Sequence, residues 1–149
     1  MLLAADIGGT STRFRLLSPQ LDQFYFEQVY SSRAFDGLGA ILKTFLTDAA
    51  QSLGASPQIQ SAALGVAGPV VDNTCRPTNL DWAPIQGDKL AQEFAIPWVT
   101  LINDFTAIGY GVVGFQQDPL PLGLTSQDLI TLQEANAQGK APIALLGAG

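Results

Sequence analysis

Apolar and polar positions along the chain fall into alternating strand patterns, one long helical stripe and short apolar runs that end in glycine or acid. The run Leu2-Leu3-Ala4-Ala5 predicts a buried strand that continues to Ile7 and is interrupted only by Asp6. From residue 12 to 17 the pattern alternates, with Thr12, Phe14 and Leu16 against Arg13, Arg15 and Leu17, and this predicts a half-buried second strand. Ser18-Pro19-Gln20 supplies turn chemistry. Residues 24–30, with Tyr25, Phe26 and Val29, carry the aromatic and β-branched content of a third strand. Short connections make these three an antiparallel meander. Leu38, Ile41, Leu42, Phe45, Leu46, Ala49, Ala50 and Leu53 then recur at helical spacing and predict a helix over residues 37–53. Asp36 is the expected N-cap and Gly54 the expected C′ residue.

In the second half, residues 61–67 form a short apolar run, as expected of a central strand covered on both faces, and it ends at Gly68-Pro69. Residues 70–77 predict a small hairpin around Asp72-Asn73, followed by the polar-aromatic loop Thr78-Asn79-Leu80-Asp81-Trp82. Residues 87–95 predict a short helix (Leu90, Phe94) closed by Pro97. A strand over residues 98–102 stops at Asn103-Asp104, and a helix over residues 105–115 begins there. Further on, Asp118-Pro119-Leu120-Pro121 reads as a linker, residues 129–132 as a short strand and 134–140 as a polar loop. Residues 143–146 begin another buried strand, which runs into Gly147-Ala148-Gly149. A strand entering a glycine turn should lead onward, so the chain reads as cut at that point.

Composition narrows the function classes. A chain of 149 residues suits one domain, and one of this size buries roughly two thirds of its unfolded surface. Hydrophobic residues make up 47% and charged residues 13%, a core-rich globular composition and not a disordered one. The formal charge is −6 with seven Lys plus Arg, too few bases for a nucleic-acid patch. Any phosphate must therefore be held mainly by backbone N–H groups or a metal. The absence of His excludes a His-based catalytic pair or metal site within this chain. Cys75 is the only cysteine, which excludes an intrachain disulfide and fits a reducing compartment. Without a histidine base it reads as a half-buried structural thiol. The N-terminus lacks a basic segment, Asp6 interrupts its apolar run, and no stretch of about 20 apolar residues could span a membrane. A cytoplasmic protein is the expectation, with no membrane partner.

Candidate chemistry lies where the predicted strands end. After the first strand, Asp6-Ile7-Gly8-Gly9-Thr10 places an acid, two glycines and a hydroxyl in a tight turn. Two glycines let a backbone approach a ligand closely, and N–H groups in such a turn form an anion-binding concavity. Asp6 could hold Mg2+, directly or through water. By itself the stretch fits a plain hairpin turn equally well. The element order β-β-β-α-β-α-β, however, makes strands one, four and five parallel through right-handed crossovers, and ligands bind beyond the carboxyl ends of such strands. Those ends are Asp6, Gly68 and Asn103-Asp104, so the residues with chemical potential converge on one edge and favour a phosphate-and-substrate site.

The pattern Asp6-Ile7-Gly8-Gly9-Thr10-Ser11-Thr12-Arg13 resembles the first phosphate motif of the actin, Hsp70 and sugar-kinase superfamily. Within it, residues 64–70 (Leu-Gly-Val-Ala-Gly-Pro-Val), Thr78-Asn79-Leu80-Asp81-Trp82 and residues 101–107 (Leu-Ile-Asn-Asp-Phe-Thr-Ala) resemble the bacterial glucokinase family. The related repressor-and-kinase (ROK) family shares Asp-x-Gly-Gly-Thr, but Phe105-Thr106 and the lone Cys75 suit it less well. Gly147-Ala148-Gly149 is similar to the opening of the second phosphate motif. The resemblance implies an α/β fold, the RNase H-like (actin-like ATPase) lobe, with a mixed five-stranded sheet of order 3-2-1-4-5 and flanking helices. Residues 1–141 would be the N-terminal lobe, and 142–149 the first strand and truncated turn of a second lobe.

What the resemblance implies for function is ATP-dependent phosphorylation of glucose at its 6-hydroxyl, the entry to glycolysis. Asp104 would be the general base, Asn103 would hydrogen-bond sugar hydroxyls, and Asn79 would touch substrate or brace the cleft. Asp6, Ile7, Gly8, Gly9 and Thr10, with Gly147 and Gly149, would meet ATP, and Asp6 would orient Mg2+ through water. Beside these stand plainer readings: Asp104 as a helix cap, Asn103 as a turn residue, Arg13 as a surface charge and Trp82 as core packing. Gly65 and Gly68 would permit close backbone approach beside the cleft. The resemblance leaves a homodimer open for a full-length form, and a fragment lacking the second lobe should not turn over alone. A non-catalytic binding module that kept the fold is the reading from another class, with residues 143–146 on an edge open to a partner.

Overall fold

The computed structural model of the chain describes residues 1–114. The predicted strand at 129–132, the loop at 134–140, the strand at 143–146, Gly147, Gly149 and the lobe division at 141/142 lie outside the described residues. The first three strands are β1 (Leu2–Ile7), β2 (Ser11–Leu17) and β3 (Phe24–Ser31). A 3-10 turn over Ser32–Ala34, absent from the sequence-based elements, leads to α1 (Leu38–Leu53). There follow β4 (Ser61–Val66), the hairpin β5 (Val70–Val71) and β6 (Thr74–Cys75), and β7 (Ile85–Gln86), which the sequence pattern did not reveal. The described chain ends with α2 (Gly87–Glu93), β8 (Trp98–Asn103) and α3 (Asp104–Gly114).

Five strands form one sheet in the order β3-β2-β1-β4-β8, the arrangement expected from the sequence with β8 as its fifth member. β1 pairs antiparallel with β2 and parallel with β4, and β4 pairs parallel with β8. β5, β6 and β7 make a small separate sheet.

The alternation in β2 reports its burial faithfully: Thr12, Phe14 and Leu16 are fully buried and Arg13 is exposed. The stripe on α1 buries Leu38, Ile41, Leu42, Phe45 and Ala49 against that face. Phe14 and Phe45 stack with ring centroids 4.9 Å apart, and Phe26 packs on Phe45 at 5.5 Å. Such pairs contribute about 0.5–1.5 kcal/mol each beyond the area they bury. Leu90, Ile96, Val99 and Leu101 join the same buried cluster, so α1 and α2 share one core.

Two expectations need correction. α1 begins one residue later than Asp36 could cap: Gly37 is the N-cap, and no side-chain bond closes that end. Its other end behaves as expected, with Gly54 left-handed at φ 72. Among the described residues, β4 is covered on one face throughout and on the other only in part. Leu64 and Val66 point into the core, but Ala63 and its neighbour Thr100 on β8 are exposed. α1 covers the other face, and α3 meets the open one at Gly65, where an added Cβ would lie 3.7 Å from the Ala107 Cβ.

The β5–β6 hairpin turns through two residues of positive φ, Asp72 at 47° and Asn73 at 54°. Mirror-image turns of this type match the twist of the flanking strands, and Asn and Asp tolerate them best. Asn73 also does something the turn does not require. Its Nδ2 donates to Val99 O and its Oδ1 accepts from Leu101 N–H, both at 2.8 Å. Those are the groups that a neighbouring strand would engage on the outer edge of β8, so one side-chain amide closes the sheet there and anchors the hairpin. Asn73→Gly removes these bonds while keeping the turn conformation accessible. The expected loss is about 1–3 kcal/mol of stability, the cost of unpaired buried backbone groups. Urea unfolding measures it, and an unchanged midpoint would show that the amide anchors nothing.

Candidate active site

Parallel registry brings the strand ends together. Ile7 pairs with Val66 and Val66 with Asn103, so the last residues of β1, β4 and β8 lie side by side. The Ala67 N–H donates to Ile7 O at 3.3 Å, which extends the β1–β4 pairing one step into the turn. With strands about 4.8 Å apart, the ends of β1 and β8 stand roughly 10 Å from one another across β4.

At the β1 end, Gly8-Gly9-Thr10 connects β1 to β2, and the Gly8 N–H donates to Ser11 O at 3.0 Å. The plain hairpin, one of the two readings open in the sequence, is therefore what the backbone forms. The Gly8 N–H is spent within the hairpin, whereas the N–H groups of Gly9 and Thr10 have no protein partner among the described residues. Ile7 is buried and supports the turn from the core. Asp6 is exposed just before it, in register with exposed Arg13, and it forms no ion pair among the described residues.

The loop from Thr78 to Trp82 flanks this turn. A Cβ on Gly9 would fall 2.7 Å from the Asn79 Cβ, so glycine is required there for the two backbones to approach. Asn79 itself is exposed and lies against the turn. Trp82 is buried, and its Nε1 donates to Phe35 O at 2.9 Å, tying the loop to the turn after β3. Between these walls opens a cleft of about 680 Å³, lined by Arg33, Asp36, Asn79 and Asp81 among others.

At the β8 end, Asp104 is the first residue of α3. The cap of that helix is Asn103, whose Oδ1 accepts the Thr106 N–H at 3.2 Å, the bond typical of an N-cap side chain. The two protons of Asn103 Nδ2 go to Gly68 O at 3.0 Å and Asp104 Oδ1 at 2.9 Å. Asp104 Oδ1 also accepts the Phe105 N–H at 2.9 Å. Its Oδ2 has no hydrogen-bond partner among the described residues, so the carboxylate is fixed through one oxygen and open at the other. A carboxylate at a helix N-terminus also gains from the helix dipole.

Gly68 completes this corner. At φ 145 it adopts a conformation that L side chains rarely enter, and an added Cβ would lie 3.2 Å from Arg76 O and from Cys75 Sγ. Cys75 is fully buried, more than the half-buried thiol expected from sequence. Burial, and then the negative charge of Asp104, push its thiol above the ordinary value.

Two buried neighbours of the turn were given no role from the sequence. Ser32 and Thr12 are buried polar residues whose hydroxyls lie 2.9 Å apart, and Ser32 Oγ donates to Gly8 O at 2.7 Å. One signal was present. Thr12 sits on the inward side of the β2 alternation, and a polar group placed in a core must find a partner. Nothing in the local sequence names Ser32 as that partner.

The closeness of Cys75 to Asp104 has a measurable consequence. Asp104→Asn removes a negative charge that opposes thiolate formation, so the titration of Cys75 should move to lower pH while burial keeps it above the ordinary range. Because the folded state favours the neutral thiol, this group's stabilisation is complete below the unfolded value and is lost as pH rises through the folded one. Ultraviolet absorbance of the single thiolate against pH reads the shift, and an unmoved titration would place Asp104 away from Cys75.

Comparison with known proteins bears on this arrangement. The Glucokinase family model matches residues 3–149. A glucokinase of Synechocystis sp. is 48% identical over 154 aligned residues, which cover 99% of this chain and 41% of that protein. Among solved structures, a glucokinase from an Antarctic psychrotroph superposes with a TM-score of 0.68 at 25% identity, covering 92% of this chain and 39% of that one. A ROK family glucokinase from Streptomyces griseus, solved with glucose and AMPPNP, shares the fold at a TM-score of 0.61 and 22% identity, over 78% of this chain and 38% of that one. The chain thus spans about two fifths of the length of the curated relatives it matches. No described helix is long and apolar enough to cross a membrane. With the family match running almost from end to end and the sheet of the actin-like sugar kinases beneath it, the chain belongs to the glucokinase family.

Proposed function

We propose that this chain forms the N-terminal lobe of an ATP-dependent glucokinase, in which Asp104 is the general base for attack by the glucose 6-hydroxyl on the γ-phosphate. The observation that carries this reading is the half-satisfied carboxylate of Asp104. One oxygen is held by Asn103 and the Phe105 N–H, and the other is open at the edge shared with the glycine turn. A general base must be fixed in place and still have a lone pair for the proton it accepts. Phosphoryl transfer otherwise depends mainly on positioning and on charge stabilisation.

The turn supports the phosphate side of that transfer. The N–H groups of Gly9 and Thr10 are the donors left for phosphate oxygens, while Gly8 serves the hairpin. The spacing of about 10 Å between the β1 and β8 ends leaves room for a phosphoryl group between the turn and Asp104. Mg2+ takes one or two carboxylates and phosphate oxygens while keeping several waters, and exposed, unpaired Asp6 beside the turn fits that donor set. Asp6 would hold the ion through water, and the ion would neutralise charge on the phosphates. No cluster of three metal-ligating side chains forms among the described residues, so a closed protein cage for a metal is not offered there.

On the sugar side, Asn103 has committed both amide protons and keeps one lone pair of Oδ1 for a sugar hydroxyl. Exposed Asn79 is the second candidate contact, at the mouth of the cleft. In this reading residues 1–141 are the N-terminal lobe. Residues 142–149 open a second lobe, where Gly147 and Gly149 begin the other phosphate turn. The adenosine site belongs to that second lobe, so the 149-residue chain should not turn over by itself.

The test joins residues 1–149 to the remaining part of the Synechocystis glucokinase and assays the hybrid with glucose and ATP. Asp104→Asn should lower kcat by about 10²- to 10⁴-fold, the span of general-base contributions. Glucose binding, measured calorimetrically, should change little. An Asp104→Asn hybrid that keeps its kcat would remove Asp104 as the base. An inactive unsubstituted hybrid, or turnover by the 149-residue chain alone, would count against the lobe assignment.

A further inference from the structure

We propose that Ser32 is a positioning residue that sets the direction of the phosphate-binding N–H in the glycine turn, an inference that rests on the functional reading above. Ser32 lies just after β3, 24 residues from Gly8, and is fully buried. Its backbone N–H donates to Thr10 O at 3.0 Å and its hydroxyl to Gly8 O at 2.7 Å. A serine hydroxyl has one proton, and that proton is committed to Gly8 O. The short contact with Thr12, 2.9 Å, is therefore a donation from Thr12 Oγ1 to Ser32 Oγ. Thr12 thus satisfies the Ser32 oxygen without competing for its proton, and Ser32 holds the turn by a carbonyl on either side of Gly9.

The consequence follows from peptide geometry. The Gly8 carbonyl and the Gly9 N–H belong to one planar trans peptide and point in opposite directions. A bond that draws Gly8 O toward buried Ser32 turns the Gly9 N–H away from the core, where it has no protein partner among the described residues. Glycines on both sides of this peptide leave its rotation almost unhindered. The Ser32 hydroxyl is the bond that holds this carbonyl directly. Contact of Gly9 with Asn79 limits the turn from the other side.

The first test needs no ligand. In the aligned, 15N-labelled 149-residue chain, the residual dipolar coupling of the Gly9 N–H should change markedly on Ser32→Ala. It should stay nearly constant on Thr12→Val, which leaves the Ser32–Gly8 bond in place. A Gly9 coupling unaffected by Ser32→Ala overturns the proposal. The second test uses the hybrid enzyme. Ser32→Ala should raise KM for ATP by about tenfold, the scale of one lost hydrogen bond to a charged group, with KM for glucose unchanged. Thr12→Val should lower Tm with little effect on KM for ATP. If Ser32→Ala fails to fold, Ser32→Cys keeps the volume and a weak donor, and it should give an intermediate KM for ATP. Equal rises in KM for both substrates, or a drop in Tm alone, would make Ser32 a structural residue only and overturn the proposal. An unsubstituted hybrid without turnover would remove the functional reading, and the Gly9 coupling would still decide whether Ser32 sets the peptide.

Discussion

Everything at the site depends on the in-register parallel pairing of β1, β4 and β8. Because Ile7, Val66 and Asn103 are neighbours across the sheet, three turns separated by dozens of residues open at the same level. A slip of one residue would send every side chain of the slipped strand to the opposite face. In β8 it would exchange core-facing Leu101 for Thr100 and carry Asp104 away from Gly68. The register is thus enforced by burial of Val66, Leu64, Leu101 and Val99, not by the polar residues that benefit from it.

The polar groups at the edge are then fastened to one another by short side-chain bonds. Asn103 joins β8 to Gly68 and to Asp104, Asn73 joins the hairpin to β8, and Ser32 joins the turn after β3 to the glycine turn. In each case a small amide or hydroxyl side chain satisfies backbone groups that loops would otherwise leave exposed or unpaired. The same bonds restrict what each residue can offer a ligand: Asn103 has no donor to spare, Gly8 has no free N–H, and Asp104 has a single open oxygen.

Much of this was legible in the sequence. The alternation from Thr12 to Leu16 and the stripe on α1 reported burial directly, since both arise from the period of the element itself. The glycine turn and the parallel strands one, four and five came from Gly8-Gly9 and the order of elements, and the full five-strand order from the family resemblance. What was not legible depends on contacts distant along the chain. Ser32 reaches Gly8, 24 residues away, and Asn73 reaches Val99, 26 residues away, and no local pattern marks them. The absent Asp36 cap is a different kind of miss: the residue type was right, but the helix starts one position later. The apolar run of β4 suggested cover on both faces, yet alanine at position 63 is small enough to remain exposed at little cost.

The central claim is that the glycine turn and the Asn103-Asp104 corner face one ligand site. Paramagnetic broadening by Mn2+ with pyrophosphate, recorded on the amides of the 149-residue chain, tests it most directly. Mn2+ stands in for Mg2+ and pyrophosphate for the nucleotide's phosphates. The amides of Gly9, Thr10, Asn103 and Asp104 should broaden together, while Trp98 at the opposite end of β8 should stay sharp. Broadening that spares Asn103 and Asp104, or that spreads evenly to Trp98, would contradict a single shared site.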